Sequence, residues 1–130
     1  MNAVFAMKQY QQVSVHSGVL GASPHRLVQM LMEGALEKIA LAKAHMVNNN
    51  IASKGENISK AIAIVGGLQS SLNKDAGGEI AENLGNLYDY MTNRLVIANL
   101  HNNEAILDEV AGLIVEIKMG WDGIPEGFKN

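Results

Sequence analysis

The two prolines of this chain stand at positions 24 and 125, so about a hundred consecutive residues lack the strongest helix breaker. β-branched and aromatic residues rarely alternate with polar ones, which leaves few strand signals. Turn signals divide the stretch into four segments of similar length. The pattern predicts helices over 24–47, 54–73, 78–100 and 103–121, each roughly 30–36 Å long at 1.5 Å per residue. Ser23 suits an N-cap, and Pro24 fits the first helical position, where its missing N–H costs nothing. Asn48 to Asn50 end the first helix, and Ser53 with Glu56 matches a capping box that would open the second. The run NKDAGG at 73–78 separates the second from the third, Asn102 or Asn103 caps the fourth, and WDGIP at 121–125 ends it. Short links make neighbours antiparallel. The expected fold class is therefore all-α: an antiparallel up-down four-helix bundle with an additional short N-terminal helix or segment.

At 130 residues the chain reads as one domain that buries roughly 65–70% of its unfolded surface without staples. The bundle occupies 24–121 and a flexible tail 122–130. Met7, Tyr10 and Val13 recur at helical spacing in residues 1–20, which read either as a segment that docks and detaches or as an ordinary fifth helix. There is no cysteine, hence no disulfide framework or thiolate chemistry. A net charge of -3 and the lack of a basic run argue against nucleic acid as a partner. No apolar run approaches the roughly 20 residues of a membrane helix, and the N-terminus lacks the apolar core of a signal peptide. The expected location is the cytoplasm, with no membrane insertion.

The predicted helices carry more apolar surface than a bundle needs. On the first, Val28, Leu31, Ala35, Ile39, Ala42 and Met46 form a core stripe. Met30, Gly34 and Leu41 lie on one flank of it, and Met32, Leu36 and Val47 on the other. A core-facing stripe needs to span only somewhat more than 100°. Either neighbours cover both flanks, or one flank is a groove for another chain. The second helix packs with Ile58, Ala61, Ile62, Val65, Leu68 and Leu72, and leaves Ile64 on its flank. The third packs with Ile80, Leu84, Leu87, Tyr88, Met91, Leu95 and Ala98, while Tyr90 and Ile97 point away among Asn83, Asn86 and Asn93. Such a neutral face suits a partner, because a Tyr ring buries area while its hydroxyl keeps a hydrogen bond. The fourth packs with Ile106, Val110, Leu113, Ile114, Ile117 and Trp121, the last as a plug at the bundle end.

Catalytic and metal chemistry find no foothold. No two of His16, His25, His45 and His101 are three or four residues apart, and no Glu-x-x-His occurs. There is no nucleophile elbow, P-loop or dinucleotide fingerprint. Gly77 and Gly78 precede a helix, but Asp75 and Glu79 would repel an anion there. The expectation is a non-enzyme with no cofactor and no metal.

The stretches YQQVSVHSGVLGASPHRLVQML (10–31), KGENISKAI (54–62) and GGEIAENLGNLYDYMTNRLVIANL (77–100), with Trp121, resemble the flagellin-specific export chaperones of the FliS family. The likeness runs from about Tyr10 to Trp121. It implies a cytoplasmic bundle that binds the disordered C-terminal segment of flagellin, prevents premature polymerisation and helps deliver it to the flagellar type III export apparatus. It also implies an N-terminal segment that covers part of the binding surface until flagellin displaces it. The export gate and a regulatory protein or co-chaperone are further partners to expect, with a homodimer when client-free. With flagellin as client, the contacts are expected on the surplus apolar flanks, the neutral face of the third helix and the N-terminal segment: Tyr10, Val13, Met30, Met32, Leu36, Leu41, Ile64, Tyr90 and Ile97, while Ser23, Pro24, Tyr88 and Trp121 are expected to be structural. Met32 stands where relatives usually have an aromatic, and Asn93 where an Arg is usual. The competing expectation is a self-associating structural bundle without a flagellin client.

Deleting residues 1–15 is expected to leave the bundle folded and to change flagellin affinity, because a covering segment lowers apparent affinity by the fraction of molecules it closes. Equal affinity of full-length and truncated protein would sink the covering role.

Overall fold

The computed structural model of the chain describes residues 21–72 and 74–124. Residues 1–20, with Tyr10 and Val13, and residues 125–130 lie outside them. Four helices form: α1 Pro24–Val47, α2 Ile51–Ser70, α3 Lys74–His101 and α4 Glu104–Asp122. No strand occurs among the described residues. The helix α1 packs against α2 and α4, and α3 packs against the same two, so α1 and α3 lie on a diagonal of the bundle. Late α1 meets early α4 through Lys43 and Asp108, and early α1 meets the end of α4 through Gln29 and Asp122. The expected antiparallel up-down order is the one observed.

The helix ends show how short links are made. Ser23 accepts the Arg26 N–H on its hydroxyl at 3.1 Å, with Pro24 in the first turn. Asn49 and Asn102 take φ of 60° and 51°, the left-handed conformation that asparagine tolerates at helix C-termini. Asn103 then opens α4, its side chain accepting the Ile106 N–H at 3.2 Å. The capping box expected at Ser53 and Glu56 is not used: α2 begins at Ile51, and Ser53 is already helical. The left-handed turn at Asn49 completes the reversal within three residues, so α2 starts earlier than its capping signal. Asn50, the residue at the cap, makes no side-chain cap bond and points its amide at His45 instead, 3.2 Å away.

The Gly77–Gly78 pair has a structural use. The helix breaks at Gly78, where φ is 55° and ψ −129°. A Cβ there would meet nothing within 4 Å, so it is the backbone conformation that calls for glycine. A Cβ on Gly77 would sit 2.7 Å from the Ala81 Cβ, closer than atoms can approach. Helix α3 therefore begins as one turn before the break and resumes after it.

The core is one cluster drawn from all four helices. It includes Leu31, Ile39, Ile58, Leu68, Met91, Leu95, Leu107 and Ile114, all nearly inaccessible. The predicted stripes are largely those buried, with two corrections. Ile80, expected in the core, is 73% exposed, because it lies in the first turn after the Gly78 break. Leu107, which the stripe on α4 omitted, is fully buried. Tyr88 is core, and burial pushes its phenol up to about 12.

Two tertiary contacts lock opposite ends. Trp121 stacks on the buried His25 ring, with centroids 4.6 Å apart and planes 7° from parallel. Its indole N–H donates to the His25 carbonyl at 3.0 Å. At the other end, the buried Lys54 ammonium donates to the Asn99 carbonyl at 2.9 Å and to Asn102 Oδ1 at 2.6 Å. A cation at the C-terminus of α3 also meets the negative end of that helix. Lys54→Met keeps the apolar stem and removes the donor, leaving two acceptors of the last turn unsatisfied. It is expected to destabilise the protein by roughly 1–3 kcal/mol in urea unfolding. An unchanged urea midpoint would show that water replaces the ammonium without loss.

Candidate functional site

Apolar residues at helical spacing normally go inward, so those that stay outside mark surface the core does not use. On α3 the residues Asn93, Val96, Ile97 and Leu100 share one face at spacings of three, four and seven. Val96, Ile97 and Leu100 are 52%, 37% and 74% exposed. Tyr90, at 43%, continues this face toward the middle of the helix. From Tyr90 to Leu100 the strip is roughly 15 Å long at 1.5 Å per residue.

Polar contacts border the strip on both sides. Toward α2, Gln69 donates to Asp89 at 3.3 Å. Toward α4, Glu109 accepts two bonds: the Tyr90 hydroxyl at 2.5 Å on Oε2 and Arg94 Nε at 2.8 Å on Oε1. The Arg94 guanidinium lies 6.0 Å from the Tyr90 ring centroid. The bond from Tyr90 and then that from Arg94 hold the Glu109 carboxyl below its usual value, and the same bond to Glu109 raises the Tyr90 phenol. A strip of asparagines and apolar side chains thus lies between two polar seams that are satisfied within the chain.

The other expected contact residues are spread differently. Met32 and Ile64 are buried, 2% and 8% exposed, and present no surface to a partner in this structure. The neighbours of α1 cover Met32, and Leu36 packs half-buried against the core. On the opposite flank Met30 and Gly34 are half-buried, and Leu41 is exposed at 40%. Leu41 and the strip on α3 belong to helices on a diagonal, so the fold does not join them in one patch. Tyr90 and Ile97 do share a face. Sequence reasoning missed Val96 and Leu100, although Leu100 lies three residues after Ile97 and four after Val96 and neither fits the core stripe. It also missed Glu109, whose partners stand 15 and 19 residues away. A second exposed pair, Val115 and Met119, sits one turn apart on α4.

The α1–α4 seam is polar. Across it Gln29 donates to Asp122 at 2.6 Å and Lys118 lies 3.7 Å from Glu33, while Arg26 pairs with Glu33 within α1 at 3.1 Å and Lys118 with Asp122 within α4 at 2.7 Å. Such exposed pairs contribute little stability individually. Among the described residues no cluster of His, Cys, Asp and Glu could hold a metal, and no helix is long and apolar enough to cross a membrane.

Fold and surface together define a small helical-bundle protein that leaves an apolar helix face exposed. The family description for the flagellar protein FliS matches residues 6–127, and the chain belongs to that family of flagellar export chaperones. Flagellar secretion chaperone FliSB of Pseudomonas aeruginosa is 53% identical over 124 residues, covering 95% of this chain and 98% of that protein. Flagellar secretion chaperones FliS of Vibrio cholerae and Salmonella typhimurium are 46% and 44% identical over 125 residues each, covering 96% and 95% of this chain and 92% and 93% of theirs. The resemblance in the sequence and these relatives agree.

The pKa directions give a pH prediction. Raised phenols favour the folded state below the usual value of 10 and lose that contribution as pH rises through the folded value. The depressed Glu109 carboxyl favours folding above its usual 4.5 and loses that contribution as pH falls through its lowered value. In a Tyr10→Phe background, tyrosinate absorbance is expected to show Tyr90 ionising above 10 and Tyr88 near 12. Two phenols titrating together at 10 in folded protein would contradict the packing of Tyr88 and the bond to Glu109.

Proposed function

We propose that the neutral outer face of α3 receives the C-terminal segment of flagellin in the bacterial cytoplasm. The chaperone holds that segment back from premature polymerisation and helps deliver it to the type III export apparatus. The observation that carries this reading is the strip of Tyr90, Val96, Ile97 and Leu100, exposed and uncharged between two closed polar seams. A segment that is disordered when free loses conformational entropy on binding, so it needs extensive apolar contact to offset that cost. Laying an amphipathic helix on an apolar face is an established recognition mode. Leu41, with the half-buried Met30 and Leu36, adds contacts on α1, and Tyr10 and Val13 add theirs from the N-terminal segment. Because α1 and α3 are diagonal, a client that touches both wraps around the bundle. Met32 and Ile64, both buried, support this surface from within and make no direct contact with the client.

Calorimetric titration with the C-terminal segment of the organism's own flagellin is expected to give 1:1 binding with a large negative heat-capacity change. Ile97→Asp should keep the bundle folded and weaken binding roughly tenfold or more, since burying an Ile side chain is worth about 1.5–3 kcal/mol. Loss of helical circular dichroism in the variant would mean that Ile97 supports the core. Absence of heat, with concentration-dependent sedimentation, would transfer this surface to self-association.

A further inference from the structure

Resting on the reading that the outer face of α3 receives the client, we infer that Glu109 of α4 is a positioning residue: it fixes the Tyr90 ring on that face and turns the phenol oxygen into a hydrogen-bond acceptor for the client.

An exposed tyrosine on a helix has several rotamers open to it. Here the ring is held by two groups from two helices. Glu109 accepts a hydrogen bond from the phenol O–H at 2.5 Å, and Arg94, one turn beyond Tyr90, lies 6.0 Å from the ring centroid, within reach of a cation–π contact. Arg94 is itself anchored to the other oxygen of the same carboxylate at 2.8 Å. Each carboxylate oxygen thus has a donor from α3, and the charges of Arg94 and Glu109 offset one another. The face keeps its neutral character although it borders an ion pair.

The direction of the hydrogen bond has a chemical consequence. A phenol has one O–H, and Tyr90 donates it in a hydrogen bond to Glu109. What remains toward solvent is a lone pair on an oxygen polarised by a carboxylate. A client group meeting Tyr90 is therefore selected as an N–H or O–H donor, with apolar side chains resting on the ring and on Ile97. Because the ring is ordered before the client arrives, binding avoids part of the cost of immobilising it.

The test uses the full chain and the C-terminal flagellin segment as probe. Glu109→Ala and Tyr90→Phe are each expected to weaken binding roughly two- to tenfold, the size of effect that ordering one side chain carries. Their combination should be no weaker than the worse single variant, because both remove one interaction. Glu109→Gln keeps an oxygen acceptor and should recover most of the affinity lost in Glu109→Ala. Independently of the client, the Tyr90 tyrosinate transition should move down toward 10 in Glu109→Ala and leave Tyr88 unmoved, a signature that a purely structural Glu109 would not produce. Additive losses, or a Tyr90 transition unchanged by Glu109→Ala, would overturn the positioning role. Ile97→Asp separates this inference from the reading beneath it. Weakened binding by Ile97→Asp with wild-type binding by Glu109→Ala refutes the positioning alone. Wild-type binding by both Ile97→Asp and Tyr90→Phe refutes the surface, and the role of Glu109 in binding falls with it.

Discussion

Links of two or three residues between helices of 19 to 28 leave each helix little choice but to fold back along the one before it. That constraint rests on asparagine. Asn49 and Asn102 enter the left-handed region in which most side chains are strained, and the chain reverses within two or three residues. Antiparallel neighbours bring the apolar stripes to one axis, and the core of Leu31, Ile58, Met91, Leu107 and their neighbours follows. The ring order then seats Lys54 against the end of α3 and Trp121 against the start of α1. Both contacts bind a helix terminus, where backbone groups lack intrahelical partners. They close the two ends of the bundle rather than its middle.

A bundle closed at both ends can leave an outer helix face without charge. Solvated helix faces usually carry lysine and glutamate, which keep the surface wet and discourage association. On α3 the charged side chains that border the strip are turned sideways into pairs: Asp89 to Gln69, Arg94 to Glu109. What remains outward is asparagine, tyrosine and aliphatic carbon. Under the proposed function, such a surface receives a client that is disordered when free and gains its order by lying along it.

Much of the fold was legible in residue order. The proline-free stretch, the Ser23–Pro24 start, the asparagines at the links and the spacing of Ile39, Val65, Leu95 and Val110 each report a local preference or a direction around a helix axis. The misread places share one cause. Ser53 and Glu56 form a capping signal, yet the left-handed turn at Asn49 had already begun the helix. Ile80 points toward the core on a helical wheel, but the break at Gly78 leaves it at an end where nothing covers it. Met32 and Ile64 point to the flanks, and in this structure those flanks are covered.

The sequence by itself determined the helical class, the four helices of the described residues, their near lengths and most of the stripe that each turns inward, because these follow from backbone stereochemistry and a period of 3.6 residues. Only the tertiary structure decided which flanks are covered, that Lys54 and His25 are buried, and that the Tyr90 hydroxyl donates to Glu109. A helical wheel gives each side chain a direction and no neighbour. Neighbours come from packing, and packing joined residues as far apart as His25 and Trp121.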